Sequence, residues 1–315
     1  MAAAPAMSRC TVRHCKLSGC VPLPTTGPRI LEPGLLASYL ERLGLTKPAA
    51  PSLPALEELL CAHVDRVAYE NLDVQLARTR PALDPIRSAE RIALQKRGGY
   101  CFLLVDAFSS LLSSLGFVVS LHTAVCAGVP EPEVMWGEHV VLIVHLEEGD
   151  FIADVGLGEG SRSPVRLEDA AWTEDGFEFS LQARSGGEWR FENPINATGC
   201  LPGFAFDMST SAPNFDEFDA FHEFYWSHPD SNYVTSPVFF HRKTKGQGIL
   251  SMHACTLRRT HPELPGGKEV LTIASSKEEW FRIVNDVFFI PLDDLDEHEK
   301  QKVWELVSTQ HRAHA

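Results

Sequence analysis

The sequence predicts an α+β protein in which helices come first and strands follow. Three observations carry this. Apolar residues up to Gly116 recur at helical spacing, as in Cys101, Val105, Phe108, Leu112 and Leu115. From Val118 onward the pattern changes to short β-prone runs punctuated by glycine and proline. Later still, Ser276-Lys277-Glu278-Glu279 reads as a capping box opening another helix.

Residues 1–31 form a basic leader. Arg9, Arg13, Lys16 and Arg29 give it +4, in a chain whose formal charge is −14, and no acid precedes Glu32. It reads as a flexible extension, with an organelle transit peptide as the alternative. Residues 32–117 read as a helical domain. Leu35 to Leu43 is an amphipathic helix stopped by Gly44. Pro48, Pro51 and Pro54 mark a linker, and Leu56 to Tyr69 carries apolar residues at helical spacing. Within that stretch His63 reads as packed or capping. Glu70 and Asn71 either brace the site or cap the helix. The helix opening at Cys101 closes this part near Gly116.

Residues 118–233 read as sheet or barrel. Val118 to Val125, 139–147, 151–156, Phe177 to Ala183 and Trp189 to Glu192 are the strand candidates. The acidic, aromatic stretch 207–222 reads as a loop or short helix, and His228 to Tyr233 as a turn. Residues 234–315 read as α/β. Strands are expected at Val238–Arg242, Ile249–Leu257 and Glu269–Ile273. Helices are expected from Ser276 through about Phe288 and over Asp294–Val307.

Composition narrows the function. With 44% hydrophobic residues the chain has ample material for a core. Its acidity argues against nucleic acid or an anionic membrane surface as partner. An anionic co-substrate would need a local basic or amide site, for which Lys96, Arg97, Arg242, Lys243 and Lys245 are candidates. Taken singly, each reads as a solvated surface charge. The cysteines stand at 10, 15, 20, 61, 101, 126, 200 and 255, with no Cys-x-x-Cys pair. That speaks against a zinc site and against a disulfide framework, and for a reducing, cytoplasmic setting. No apolar run reaches the roughly 18 residues that span a bilayer.

The chemistry centres on Arg97-Gly98-Gly99-Tyr100-Cys101-Phe102. Cys101 falls in the first turn of its helix, where unpaired N–H groups and the dipole favour a thiolate. A lone cysteine there would read as a small buried hydrophobe. Two later residues change the balance. His139 opens a β-prone run, and Asp154 is an acid flanked by apolar residues, which needs a partner if buried. Cys101, His139 and Asp154 would make an acyl-transfer triad of nucleophile, base and orienting acid. One geometric obstacle stands in the way. A hairpin turning at Glu148-Gly149 puts Asp154 opposite Ile143, roughly 13 Å along the strand from His139. A bulge, shear or another pairing is then required.

These residues carry a resemblance. Arg-Gly-Gly-Tyr-Cys-Phe, then Glu138-His139-Val140-Val141-Leu142-Ile143-Val144, then Ala153-Asp154-Val155-Gly156-Leu157-Gly158, resemble the motifs of the arylamine N-acetyltransferase family in order and spacing. Tyr69-Glu70-Asn71-Leu72 resembles that family's Phe-Glu-Asn-Leu segment. The resemblance implies a helical domain bearing Cys101, a β-barrel bearing His139 and Asp154, and a small α/β lid. The triad arrangement would be like that of cysteine proteases. It also implies acetyl-CoA or a related acyl-CoA as co-substrate, an arylamine or hydrazine acceptor, and no metal. Phe102, Trp136 and Gly137 become candidate substrate contacts, although Trp136 reads equally as a packed aromatic. Leu103 and Val105 stand where the family usually has an acid and an amide, which bears on turnover and substrate range. A cysteine hydrolase or transglutaminase-like enzyme, and a catalytically weak binding protein, are the alternatives.

Overall fold

The computed structural model describes residues 30–126, 136–193 and 202–314. All but the last two residues of the basic leader lie outside these, as does most of the loop before Trp136.

Five helices come first: α1 Pro33–Leu43, α2 Leu53–Arg66, α3 Leu72–Gln75, α4 Pro85–Ala93 and α5 Cys101–Ser114. Gly44 ends α1 in the left-handed conformation at φ 69°. The expected linker is shorter than the prolines suggest. Ser52 caps α2, and Pro54 lies in its first turn, where proline costs no hydrogen bond. The helix also stops at Arg66 rather than running to Tyr69. Tyr69–Glu70 is instead a short strand, β1. α5 is buried from Cys101 through Leu112.

The sheet material falls into two sets. Strands β2 Val118–Cys126, β3 His139–Leu146, β4 Gly149–Ile152, β5 Val165–Arg166, β6 Ala170–Glu174, β7 Phe177–Ala183, β8 Glu188–Glu192 and β9 Gly203–Asp207 form one sheet in the order β5-β4-β3-β2-β9-β8-β7-β6. β5 and β6 are its edges, so among the described residues the expected barrel is an open half-barrel. β3 is buried on both faces. Val140, Leu142 and Val144 pack toward the α5 core, and Val141 and Ile143 toward the half-barrel core of Phe179, Phe191 and Phe204. That double burial is why its sequence is a continuous apolar run.

The aromatic stretch after β9 is helical, not a loop: α6 Asp219–Ser227 follows a 3₁₀ turn at Phe215–Phe218. The expected turn before Tyr233 leads into a short helix, α7 Asn232–Thr235. The second sheet runs β1-β10-β11-β12-β13, with β10 Phe239–Thr244, β11 Gly248–His253, β12 Thr256–Thr260 and β13 Lys268–Ile273. The run Ile249–Leu257 is thus two strands, broken at Ala254, whose φ is 49°. Helices α8 Lys277–Phe288 and α9 Glu297–His314 close the chain. The Ser276 hydroxyl caps Glu279 N–H at 3.2 Å, while the Glu279 carboxylate accepts from Ser275 rather than Ser276. No described helix is long and apolar enough to cross a membrane.

Candidate active site

The segment before α5 is pinned by backbone contact. Gly99 bridges Tyr69, and Glu70 N–H donates to Gly99 O at 3.0 Å. A Cβ on Gly98 would stand 1.9 Å from Ala68 O, so only glycine fits. Behind this lies a buried ion cluster. Arg97 reaches Asp73 at 2.7 Å and Asp294 at 3.2 Å, while Arg91 reaches Glu70 at 2.9 Å and Gly98 O at 2.6 Å. Burial would raise the Asp73 carboxyl, but Arg91 and Arg97 hold it below the usual carboxylate range. Glu70 and Asn71 are therefore braces: Asn71 also bonds Tyr233 O and Phe239 N.

Cys101 opens α5 and is 3% exposed. His139 opens β3 and is 1% exposed. Asp154 follows β4 and brings its carboxylate to His139 Nε2 at 2.9 Å. Its other oxygen accepts from Gly156 N–H at 2.6 Å. Nε2 being engaged by Asp154, Nδ1 is the nitrogen left to face a thiol. Burial alone would lower the His139 pKa. The Asp154 charge and hydrogen bond, joined by Cys101, raise it to about 10. An imidazolium is therefore the ring's form through neutral pH. The loop closes on Cys101: a Cβ on Gly156 would stand 3.0 Å from Cys101 Cβ. Of the three residues named from the sequence, a hydrogen bond joins His139 to Asp154, and Gly156, two residues on from Asp154, packs against Cys101.

The other candidates divide. Phe102 is fully buried and stacks on Tyr225 with ring centroids 5.6 Å apart. Trp136 is 42% exposed. Gly137 is buried at φ 107°, its Cβ position 3.4 Å from the Phe221 ring. Arg97 and Lys243 are not solvated charges. Lys243 is wholly buried, pairs with Glu174 at 2.8 Å and lies over Phe179. Lys96 and Lys245 are exposed and Arg242 is half-buried.

Sequence reading missed the tyrosines. Of the chain's 5, Tyr69, Tyr100, Tyr225 and Tyr233 lie within electrostatic reach of Cys101. Burial, first of all, holds each phenol well above its ordinary range. Tyr100 bonds His222 at 2.6 Å and Tyr225 donates to Glu138 O at 2.7 Å. The Tyr69 and Tyr233 hydroxyls bond each other. Only Tyr69 carried a signal, as a tyrosine where the resembled segment has phenylalanine.

Helices, a half-barrel sheet and a buried imidazole–carboxylate pair beside a buried cysteine define the class: an α+β protein of helices and a curled half-barrel sheet. Comparison with known proteins narrows it. Residues 52–297 match the model of the N-acetyltransferase family, and the chain belongs to the arylamine N-acetyltransferases. An arylamine N-acetyltransferase of Escherichia coli (strain K12) is 35% identical over 158 residues, 49% of this chain and 55% of that protein. The chain thus matches about half the length of these curated relatives. Solved structures share the fold over more of it. The Salmonella typhimurium arylamine N-acetyltransferase superposes with TM-score 0.75 at 22% identity, covering 89% of this chain and 100% of that one. The Mycobacterium marinum arylamine N-acetyltransferase in complex with CoA gives 0.74 at 22% identity, covering 87% and 98%.

Proposed function

We propose that this protein transfers an acyl group, acetyl in the first instance, from acyl-CoA to the nitrogen of an arylamine or arylhydrazine. The transfer passes through a thioester on Cys101. The observation that carries the reading is the buried His139–Asp154 pair, 2.9 Å apart at Nε2, with the Asp154 loop packed against the buried Cys101. Asp154 orients the ring and stabilises its protonated form. That imidazolium is the counter-ion a thiolate nucleophile needs.

In the first half-reaction Cys101 attacks the thioester carbonyl and CoA leaves as a thiolate, taking its proton from His139. In the second, the amine attacks the acyl-enzyme, and His139 relays the amine proton to the departing sulfur. Unpaired N–H groups at the start of α5 face the developing oxyanion. Phe102, Trp136 and Gly137 border the acceptor's approach in this reading. Of the candidate cations, the exposed Lys96 and Lys245 are left for CoA phosphates, since Arg242 donates to Asp65 O and lies over Phe289. Support comes from family membership and from a structural relative solved in complex with CoA. The described thiols Cys61, Cys101, Cys126 and Cys255 are free, which suits a reducing compartment.

Intact mass spectrometry after incubation with acetyl-CoA tests this. A gain of one acetyl on Cys101, discharged faster by an arylamine than by water, is expected. Discharge by water at the same rate would favour a hydrolase. No gain with any acyl-CoA would leave a binding protein.

A further inference from the structure

We propose that the Tyr69–Tyr233 hydroxyl pair donates a hydrogen bond to the acyl oxygen that becomes negatively charged on Cys101. The inference rests on the acyl-enzyme reading above and adds a side-chain donor to it.

Two phenols that bond each other hold two O–H hydrogens, and only one lies between the oxygens. The other must point elsewhere. Neither Tyr69 nor Tyr233 has a further hydroxyl partner among the described residues. The neighbouring phenols are committed, Tyr100 to His222 and Tyr225 to the Glu138 carbonyl. The pair is thus the place in this aromatic cage where a donor is left over. A buried donor without an acceptor is costly, unless a bound group supplies one.

Its position fits the role. Tyr69 bridges Gly99, two residues before the nucleophile. The Tyr233 ring packs on Tyr100, the residue next to Cys101, with centroids 4.7 Å apart. On the far side a Cβ on Gly158 would touch Tyr69 Cβ at 2.7 Å, and Tyr69 and Asp154 line one crevice. The pair therefore sits between the strand leading into Cys101 and the loop that carries Asp154. Burial keeps both phenols protonated through neutral pH, so both remain donors. A phenylalanine at position 69, as in the resembled segment, would leave one hydroxyl and no pair.

In the step itself the Cys101 sulfur bonds the carbonyl carbon and the C=O π pair moves onto oxygen. The spare O–H binds that oxygen and keeps its proton. The pair then returns to carbon as the bond to the leaving group breaks, and the donor is released.

The test compares two reactions of one thiol in the Tyr69→Phe/Tyr233→Phe double variant. p-Nitrophenyl acetate acylates Cys101 through an oxyanion and needs no CoA site. Iodoacetamide alkylates the same sulfur without forming one. The proposal expects burst acylation to fall about 100-fold while alkylation stays within about twofold of the parent protein. Unchanged acylation overturns it. So does an equal fall in both reactions, which would mean disturbed packing. Parent protein is exposed to acetyl-CoA in parallel. If p-nitrophenyl acetate acylates the thiol and acetyl-CoA does not, the CoA reading falls and the hydroxyl result stands. A thiol that neither ester acylates overturns both.

Discussion

Asp154 meets His139 Nε2 at 2.9 Å because the hairpin between them turns one residue earlier than its glycine suggests. Leu146 pairs with Gly149, leaving Glu147 and Glu148 as the turn. In that register Asp154 is level with Val141, not Ile143, and about 6.6 Å along the strand from His139. Ala153 N–H makes a further ladder bond, to Leu142 O at 3.0 Å. The chain then leaves the strand, and the carboxylate swings across to the ring. Neither a bulge nor unusual shear is needed.

That contact predicts the effect of Asp154→Asn. The amide keeps the shape but loses the charge that holds the imidazolium, and its NH₂ can force the wrong tautomer. Acylation of Cys101 is expected to slow by about 10³- to 10⁴-fold, with the far-UV spectrum unchanged. Stopped-flow acylation measures it. A variant within tenfold of the parent would remove Asp154 from the chemistry.

The raised His139 pKa has a signed consequence for stability. The group is held above its ordinary 6.5, at about 10, so it stabilises the fold fully below pH 6.5. That contribution fades as pH rises through about 10. Urea unfolding of the parent and His139→Gln is expected to show a gap of a few kcal/mol at pH 6 that narrows by pH 10. A gap constant with pH would contradict the assignment.

Much of this was legible in the residues. The 4-3-4-3 spacing of apolar residues from Cys101 placed that cysteine at a helix start. His139 and Asp154 were visible as polar residues in apolar company. Other features carried no local signature. Glu148-Gly149 looks like a turn, but which residues pair is decided by burial on both faces of β3. β1 is two residues long, and only its pairing with β10 makes it a strand. Lys243 looked like a surface charge, since Glu174, its partner at 2.8 Å, is distant in sequence.

Gly98 and Gly34 make a paired prediction. A Cβ at position 98 would stand 1.9 Å from Ala68 O, a backbone atom that cannot yield without breaking the Tyr69–Gly99 bridge. At Gly34, inside α1, nothing lies within 4 Å. Gly98→Ala is expected to cost about 3 kcal/mol or more and to slow acylation. Gly34→Ala is expected to be neutral or to stabilise by up to about 1 kcal/mol. Thermal melts of both variants decide it. Equal behaviour would show that Gly98 is a flexible joint and not a contact point.

The ion cluster under the nucleophile segment gives the last prediction. Arg97 is 1% exposed and lies between Asp73, at 2.7 Å, and Asp294. Arg97→Met fills similar space without charge and leaves Asp73 with Arg91 and the longer contact to Arg78. Removing one partner of a buried ion pair costs about 3–5 kcal/mol, most of it from the carboxylate left behind. The pH dependence identifies that source. Asp73 is depressed in the fold, so its contribution is present above its unfolded pKa, about 3.8, and lost as pH falls below it. The stability gap between parent and Arg97→Met should therefore be widest near pH 7 and shrink as pH falls below the ordinary carboxylate range, as Asp73 takes up a proton and no longer needs the guanidinium. Urea midpoints at neutral and acid pH read this directly. A gap that persists undiminished in acid would place the cost in lost packing instead of in charge.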